Sequence, residues 1–531
     1  MATFEHNPVF GKNVIETLSE GMYDNPLFLF REYVQNSADA IDSAISIGIL
    51  SKHEAQININ IDIDKREIVF HDNGIGIPHA KVNSLLANIG DSEKDRLINK
   101  GFRGIGRLGG LGYCKIVRFE TSYIDEDIMT IMEWNAQELH KILSDKSIKI
   151  DAGEVIRRIT TVTIKQCDIH EHFFKVSLID INRTSNDLLD IEDVRKYLSM
   201  VSPVPFDYER FHFVDIIENF IKDNNLPELN EYNIYLNGDE IRKGYETPLT
   251  IEDNKQPIEI LNVACRLLKD DNKIIGWYWF CISKFEGVIP TKCWQRCIRL
   301  RKSNIQIGEA DCLSNHPKRG QALWKEDRGN NYFLGEIHAI DPDLIPNSRR
   351  DYFNQDSACR RFETVLASEF INLHKLYHDA SLIRSATEQI KQASNERQNF
   401  NEKLKSGIFL DQREKQKAEQ KVENEEKKAE EAKKRLEKIK EKINDKTEGN
   451  IVSAQVLDSY ETLIESSGVS QENNTSETNS IAETKNDDKF AKVNKKTRKI
   501  LHDVFSVIDK MLPRDQAEPL KEAIIKRVSH S

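Results

Sequence analysis

Between Gln56 and Asp64 apolar and polar positions alternate without a break. Ile57, Ile59, Ile61 and Ile63 stand against Gln56, Asn58, Asn60, Asp62 and Asp64. A period of two predicts a half-buried strand. Asp64-Lys65-Arg66 then supplies a turn and Glu67-Ile68-Val69-Phe70 a returning strand, so the hairpin delivers Asp72 at its end. Upstream the period changes. Over residues 31–42, Val34, Ala38 and Ile41 can pack inward, while Glu32, Asn36 and Asp39 recur at i, i+4 and i+7, one polar face of a helix. Strand-like runs return at residues 233–238 and 276–280.

Beyond residue 380 the chain is rich in Glu, Lys, Gln and Ala. Val422, Ala429, Ala432, Leu436, Ile439 and Ile443 follow a heptad spacing, which predicts a short coiled coil or a long charged helix held by i,i+4 ion pairs. Residues 447–488, rich in Ser, Thr, Asn and Glu, read as a disordered linker with a short helix near 454–463. Leu501, Val504, Phe505, Ile508 and Leu512 then form an apolar stripe. Pro513 breaks it, and Leu520, Ala523, Ile524 and Val528 follow on a second helix, so the tail reads as a helical hairpin that docks on a partner or its own copy. Lys495, Lys496 and Lys499 make a basic cluster, more simply a solvated helix face than a nucleic-acid contact.

Composition sets bounds. The 531 residues allow two to four domains, and 31% of them are charged, with a mean hydropathy of −0.56. No stretch of 18 apolar residues and no leader-like start is seen, so a cytoplasmic protein without a membrane partner is expected. The eight cysteines lie scattered, and Cys293 and Cys297 have no further ligand to complete a zinc site, so all are expected to be reduced thiols. A net charge of −11 argues against a surface coated by nucleic acid.

Chemistry concentrates in three places. On the helix, Asn36 offers a neutral oxygen to a cation such as Mg²⁺, and Glu32, one turn away, can orient or deprotonate water. A solvated polar face would carry the same residues. After the hairpin, Asp72-Asn73-Gly74-Ile75-Gly76 places a carboxylate that can accept from an exocyclic amine such as adenine's, and its glycines let the backbone approach a ligand. A plain turn uses the same residues. Third, glycines at 101, 104, 106, 109, 110 and 112 make a loop able to present backbone N–H groups to phosphate oxygens. It lacks the Gly-Lys-Ser/Thr of a Walker loop and does not directly follow the first strand as a Rossmann fingerprint would.

In that order the three motifs resemble the GHKL ATPase superfamily, which includes gyrase B, MutL, sensor histidine kinases, the MORC proteins and the heat-shock-90 chaperones. The helix from Arg31 to Asp42 is similar to the chaperone branch's pattern of Arg-Glu-Leu, then Asn, then Asp-Ala and Asp. The resemblance implies an α+β fold: a Bergerat-type ATP-binding sandwich over residues 1–205, an S5-like transducer over 206–380, a charged helix or coiled coil over 381–446, the linker at 447–488 and a helical segment over 489–531. It implies ATP and Mg²⁺ as cofactors. Glu32 would be the general base, Asn36 the Mg²⁺ ligand, Asp39 a neighbour of the nucleotide, and Asp72 the adenine reader with Gly74 and Gly76. Gly101 and Phe102 would lead into Gly104, Ile105, Gly106 and Arg107 around the phosphates. Thr160, in Ile159-Thr160-Thr161-Val162, stands where the family has Gly-Thr on an edge strand and would be a second adenine contact. Residues 80–100 would be the ATP lid. In Asn347-Ser348-Arg349-Arg350-Asp351, Arg350 would reach the γ-phosphate, with Arg349 its neighbour.

These roles imply a slow ATPase that works as a homodimeric clamp through open–closed motion. Its target would be a protein client or effector, as for the chaperones, or DNA, as for MORC or MutL in bacterial defence or repair.

Overall fold

The computed structural model describes residues 10–19, 25–88, 106–251, 256–315 and 322–444, with single positions between 504 and 527. The chain divides into two compact units, Met1–His374 and Lys375–Ser531.

In the first unit, α1 (Asn13–Ser19) precedes α2 (Phe28–Ser46), the helix of the polar triad. The hairpin follows as β1 (Gln56–Asp62) and β2 (Glu67–Asp72), with Ile57 paired to Asp72. Ile57, Ile59 and Ile61 are buried as the alternation requires, but Ile63 is 55% exposed. The Asp62 carboxylate accepts from the Lys65 amide at 2.9 Å, and this side-chain turn ends the strand before the pattern runs out.

Then come α3 (His79–Ala87), β3 (Cys114–Ser122), β4 (Ile128–Asn135), α4 (Ala136–Ser144), α5 (Ala152–Ile159), β5 (Thr160–Gln166), β6 (Phe173–Ile181) and α6 (Ile191–Val201). Asn135, Asp151 and Asp190 each accept a backbone N–H three residues on, which starts α4, α5 and α6. After α7 (Val214–Asp223), β7 (Asn233–Leu236) and β8 (Asp239–Glu240) return to the same sheet. Its order is β5-β4-β3-β6-β2-β1-β7-β8, antiparallel except between β1 and β7. The first sheet is thus completed by strands from beyond residue 205. Phe30 and Tyr33 of α2 pack on Phe70 of β2, with ring centroids 5.3 and 4.8 Å apart. Burial of each such ring contributes about 1.5–3 kcal/mol and holds α2 against the strand that carries Asp72.

The second sheet comprises β9 (Ile260–Asp270), β10 (Lys273–Ser283), β11 (Cys297–Lys302), β12 (Ile305–Ile307) and β13 (Leu334–Ala339), in the order β12-β11-β13-β10-β9. Phe206, Phe211, Tyr245, Trp277 and Trp279 form the core on one of its faces. A buried ionic cluster crosses it. Glu336 Oε1 lies 2.6 Å from Arg301 Nε and 3.1 Å from Lys243 Nζ, and Oε2 lies 3.1 Å from His338 Nε2. The Tyr245 hydroxyl donates to Glu336 at 3.1 Å. Burial opposes the Glu336 charge, yet Arg301 and Lys243 hold its pKa well below the usual carboxylate range.

Two long helices follow, α8 (Ser357–Ser406) and α9 (Gln412–Asn444), separated by a turn with Gly407 at φ +66°. Within the second unit they run antiparallel, joined by Lys421–Glu396 at 2.7 Å, Arg397–Glu426 at 2.9 Å and Arg435–Gln389 at 2.6 Å. The heptad residues Val422, Ala429, Ala432, Leu436 and Ile439 are buried, and so are Ile383, Ala386, Ile390 and Ala393 of α8. Glu425, buried and paired with Lys428 at 2.8 Å, fills the position the apolar pattern skipped. The seam therefore closes within the chain, as a helical hairpin.

Phe505 is buried, whereas the linker expected at 447–488 and much of the expected tail lie outside the described residues. None of the eight cysteines is in a disulfide. Among the described residues no helix is long and apolar enough to cross a membrane.

Candidate active site

Most of helix α2 is buried, with Asn36, Ala40 and Ser43 on its half-exposed face. Val34, Ala38 and Ile41 are covered as the pattern requires, but so are Arg31, Glu32, Gln35 and Asp39, which a solvated face would leave in water. Asn36, the proposed cation ligand, is half-buried one turn from Glu32.

Two guanidinium groups face the Glu32 carboxylate. Arg31 Nη2 is 3.5 Å from Glu32 Oε1, and Arg350 Nε is 4.0 Å from the same oxygen. Arg31 also lies over the Phe28 ring and donates to the Arg349 carbonyl at 3.4 Å. Arg350 sits in the segment between β13 and α8, bracketed by the Pro346–Phe353 bridge, and its backbone turns into the left-handed region at φ +54°. The Gly308 amide donates to the Arg350 carbonyl at 2.7 Å, which ties the turn to the end of β12. A pair of arginines more than 300 residues away is thereby brought to the carboxylate. Arg350 offers its side chain and Arg349 its carbonyl.

The turn after β2 is shaped by crowding. Asp72 is 1% exposed and accepts from the Gly74 amide at 3.0 Å. A Cβ on Gly74 would stand 2.6 Å from Ala40 Cβ, so this turn lies closer to α2 than any side chain permits. Gly76 has φ +70°, and its Cβ would meet the Ser122 carbonyl at 1.9 Å. Thr121 accepts from the Ile77 amide at 2.8 Å and donates to the Phe173 carbonyl at 2.9 Å, while His172 Nδ1 lies 2.9 Å from the Gly74 carbonyl. Neither Thr121 nor His172 belongs to a local motif, and only the pairing of β2, β6 and β3 places them here.

Thr160 does not join this group. It begins β5 at the sheet edge, with β4, β3 and β6 between it and β2, and its hydroxyl donates to the Ile156 carbonyl at 2.6 Å. Residue 159 is the last residue of α5 and is buried, so the segment is a helix end running into a strand. The strand beside Asp72 is β6, where Phe174 is its partner.

Of the glycine loop, Gly101, Phe102, Gly104 and Ile105 lie outside the described residues, as does the lid from residue 89 on. Gly106 and Arg107 are placed. A Cβ on Gly106 would stand 2.8 Å from Glu32 Oε2, so backbone passes directly over the carboxylate. Tyr33 donates to the Arg107 carbonyl at 3.3 Å, and burial lowers the Arg107 pKa to about 10.

These residues fit a Mg²⁺–nucleotide. A buried acceptor stands at one turn, a glycine backbone lies against a carboxylate at the other, and one neutral protein oxygen is available to a cation that takes its remaining ligands from phosphate and water.

The fold, a mixed α+β architecture with a largely antiparallel sheet, is consistent with that of GHKL ATPases. Residues 28–168 match the family described as histidine kinase-, DNA gyrase B-, and HSP90-like ATPase, a likeness consistent with the GHKL superfamily. It is 35% identical over 124 residues to the chaperone protein HtpG of Ruthia magnifica subsp. Calyptogena magnifica, which covers 22% of this chain and 20% of HtpG. It is 32% identical over 114 residues to a protein named as a type II restriction enzyme, HgiDII, of Herpetosiphon aurantiacus, covering 20% and 16%. It is 24% identical over 107 residues to an endoplasmin homolog of Leishmania donovani, covering 18% and 14%. The matched stretches thus span a fifth or less of these relatives.

Proposed function

We propose that this chain is a Mg²⁺-dependent ATPase whose hydrolysis drives an open–closed clamp. The observation that carries the reading is the Arg349–Arg350 loop seated at Glu32, because it couples the nucleotide helix to the second sheet. Residues 1–205 act as the ATP module and 206–380 as the transducer, with β7 and β8 of the latter extending the former's sheet. Asp72 accepts from the adenine amine, and backbone amides up to Arg107 line the phosphates. Asn36 would hold Mg²⁺, which when bound neutralises phosphate charge. Glu32 takes a proton from water as the water oxygen bonds to the γ-phosphorus and the bond to the β–γ bridging oxygen breaks. Arg350 offsets the charge that builds on the γ-phosphoryl oxygens. Closure of the lid and docking of the transducer limit the rate, so turnover is slow.

The clamp works as a cytoplasmic homodimer that remodels a protein client or effector, in line with the similarity to HtpG. The similarity to HgiDII favours a second reading, a MORC- or MutL-like clamp acting on DNA in defence or repair. ATP hydrolysis and mass in solution, measured with and without DNA, test both. Under the ATPase reading Glu32→Ala stops turnover while retaining ATP, and Asp72→Asn loses ATP. Salt-sensitive DNA stimulation selects the second reading. Normal hydrolysis by Glu32→Ala would sink the assignment.

A further inference from the structure

Five buried polar atoms of α2, α6 and β11 have no hydrogen-bond partner among the described residues. They are Nε and Nη1 of Arg31, Oε1 of Gln35, the hydroxyl of Tyr197 and Nε of Arg299. Arg31 and Gln35 are one turn apart on α2, Tyr197 is on α6 and Arg299 on β11. The Tyr197 hydroxyl lies in the field of Arg31, Glu309, Glu32 and Arg299, and burial pushes its pKa up, so it stays protonated at any working pH.

Buried polar atoms are nearly always paired, so a group of unpaired ones calls for a reason. Here the set is complementary: Arg31 and Arg299 hold spare donors, Gln35 a spare acceptor, and the Tyr197 hydroxyl serves as either. The Tyr197 hydroxyl feels the charge of both arginines. Helix α6 supplies the lever. Arg301, two residues from Arg299 on the same strand, donates to the carbonyls of Met200 and Ser202 at the α6 terminus. Tyr197 therefore rides on a helix gripped by the second sheet.

We propose that Tyr197 is a positioning residue for ATP hydrolysis. After nucleotide binds, its hydroxyl accepts an Arg31 N–H, with Gln35 Oε1 taking another, and this draws the guanidinium away from Glu32 so that the carboxylate can meet water. The inference rests on the ATPase reading above.

Tyr197→Phe in the full chain tests it, with kcat, KM and nucleotide-free Tm measured beside wild type. Because the hydroxyl makes no bond in this structure, Tm should stay the same or rise. KM should stay within about twofold and kcat should fall about tenfold, the worth of one hydrogen bond to a charged group. In an Arg31→Ala background the same change should have no further effect on kcat, since the hydroxyl acts only through Arg31. Unchanged kcat, a lower nucleotide-free Tm, or full additivity with Arg31→Ala would each overturn the proposal. A wild-type chain that hydrolyses no ATP fails the ATPase reading itself and takes this proposal with it.

Discussion

Replacing Glu336 by Gln should expose how much of the second sheet's stability rests on one carboxylate. Glu336 is fully buried and is faced by Arg301 at 2.6 Å, Lys243 at 3.1 Å and His338 at 3.1 Å. Gln keeps the shape and removes the charge. Arg301 cannot release its proton, so its cation is left buried with only carbonyl partners. Breaking a buried pair in this way costs about 3–5 kcal/mol. Lys243 adds a pH dependence. Burial, and then the neighbouring Arg301, lower its pKa from 10.5 to about 7 even with Glu336 present.

The sign follows from proton counting. Below pH 7 the wild-type lysine is protonated both folded and unfolded, so it contributes no slope. Without Glu336 the folded pKa drops further, and the unfolded chain then binds a proton that the folded one does not. The variant should therefore lose about 1.4 kcal/mol more per pH unit as pH falls below 7. Urea unfolding followed by tryptophan fluorescence reports on this core, since Trp277 stacks on His338 at 4.3 Å and Trp279 lies beside Tyr245. A destabilisation under about 1 kcal/mol at pH 8, or a wild-type-to-variant gap that stays constant between pH 7 and about 5.5, would refute the reasoning.

Arg350→Ala should lower kcat by about 10²–10³-fold, the usual loss for one transition-state donor, while Arg349→Ala should cost far less, because residue 349 contributes its backbone carbonyl. Equal losses in single-turnover assays would contradict the assignment. Burial lowers the His338 pKa from 6.5 to about 4. The unfolded chain gains a proton on this ring before the folded one does, so stability should fall by about 3 kcal/mol as pH drops from 6.5 towards 4. In a pH series of urea melts His338→Gln should remove that part of the slope. Gly76→Ala places Cβ against the Ser122 carbonyl at positive φ, so it should destabilise the Asp72 turn and weaken nucleotide affinity; a variant whose ATP titration matches wild type would show that the turn has room.

Much of the site was legible in the chain because its geometry is local. Glu32, Asn36 and Asp39 share α2 by helical spacing alone, and the alternation of Ile57, Ile59 and Ile61 was enough to deliver Asp72 at the end of a hairpin. Gly74 and Gly76 stood out as glycines where neighbouring backbone leaves no room for a Cβ, a constraint that the sequence records directly. Long-range pairing was not legible. Thr160 matched a motif, yet which strand lies beside β2 depends on sheet order, and β6 holds that place. The heptad of α9 announced an apolar seam but not its partner, because periodicity fixes a face and says nothing of what covers it. Tertiary structure alone buried Arg31, Glu32, Gln35 and Asp39 on the polar side of α2 and brought Arg349 and Arg350 to Glu32. It also set Tyr197 on a helix held by Arg301, through contacts between residues about a hundred positions apart that no local pattern encodes.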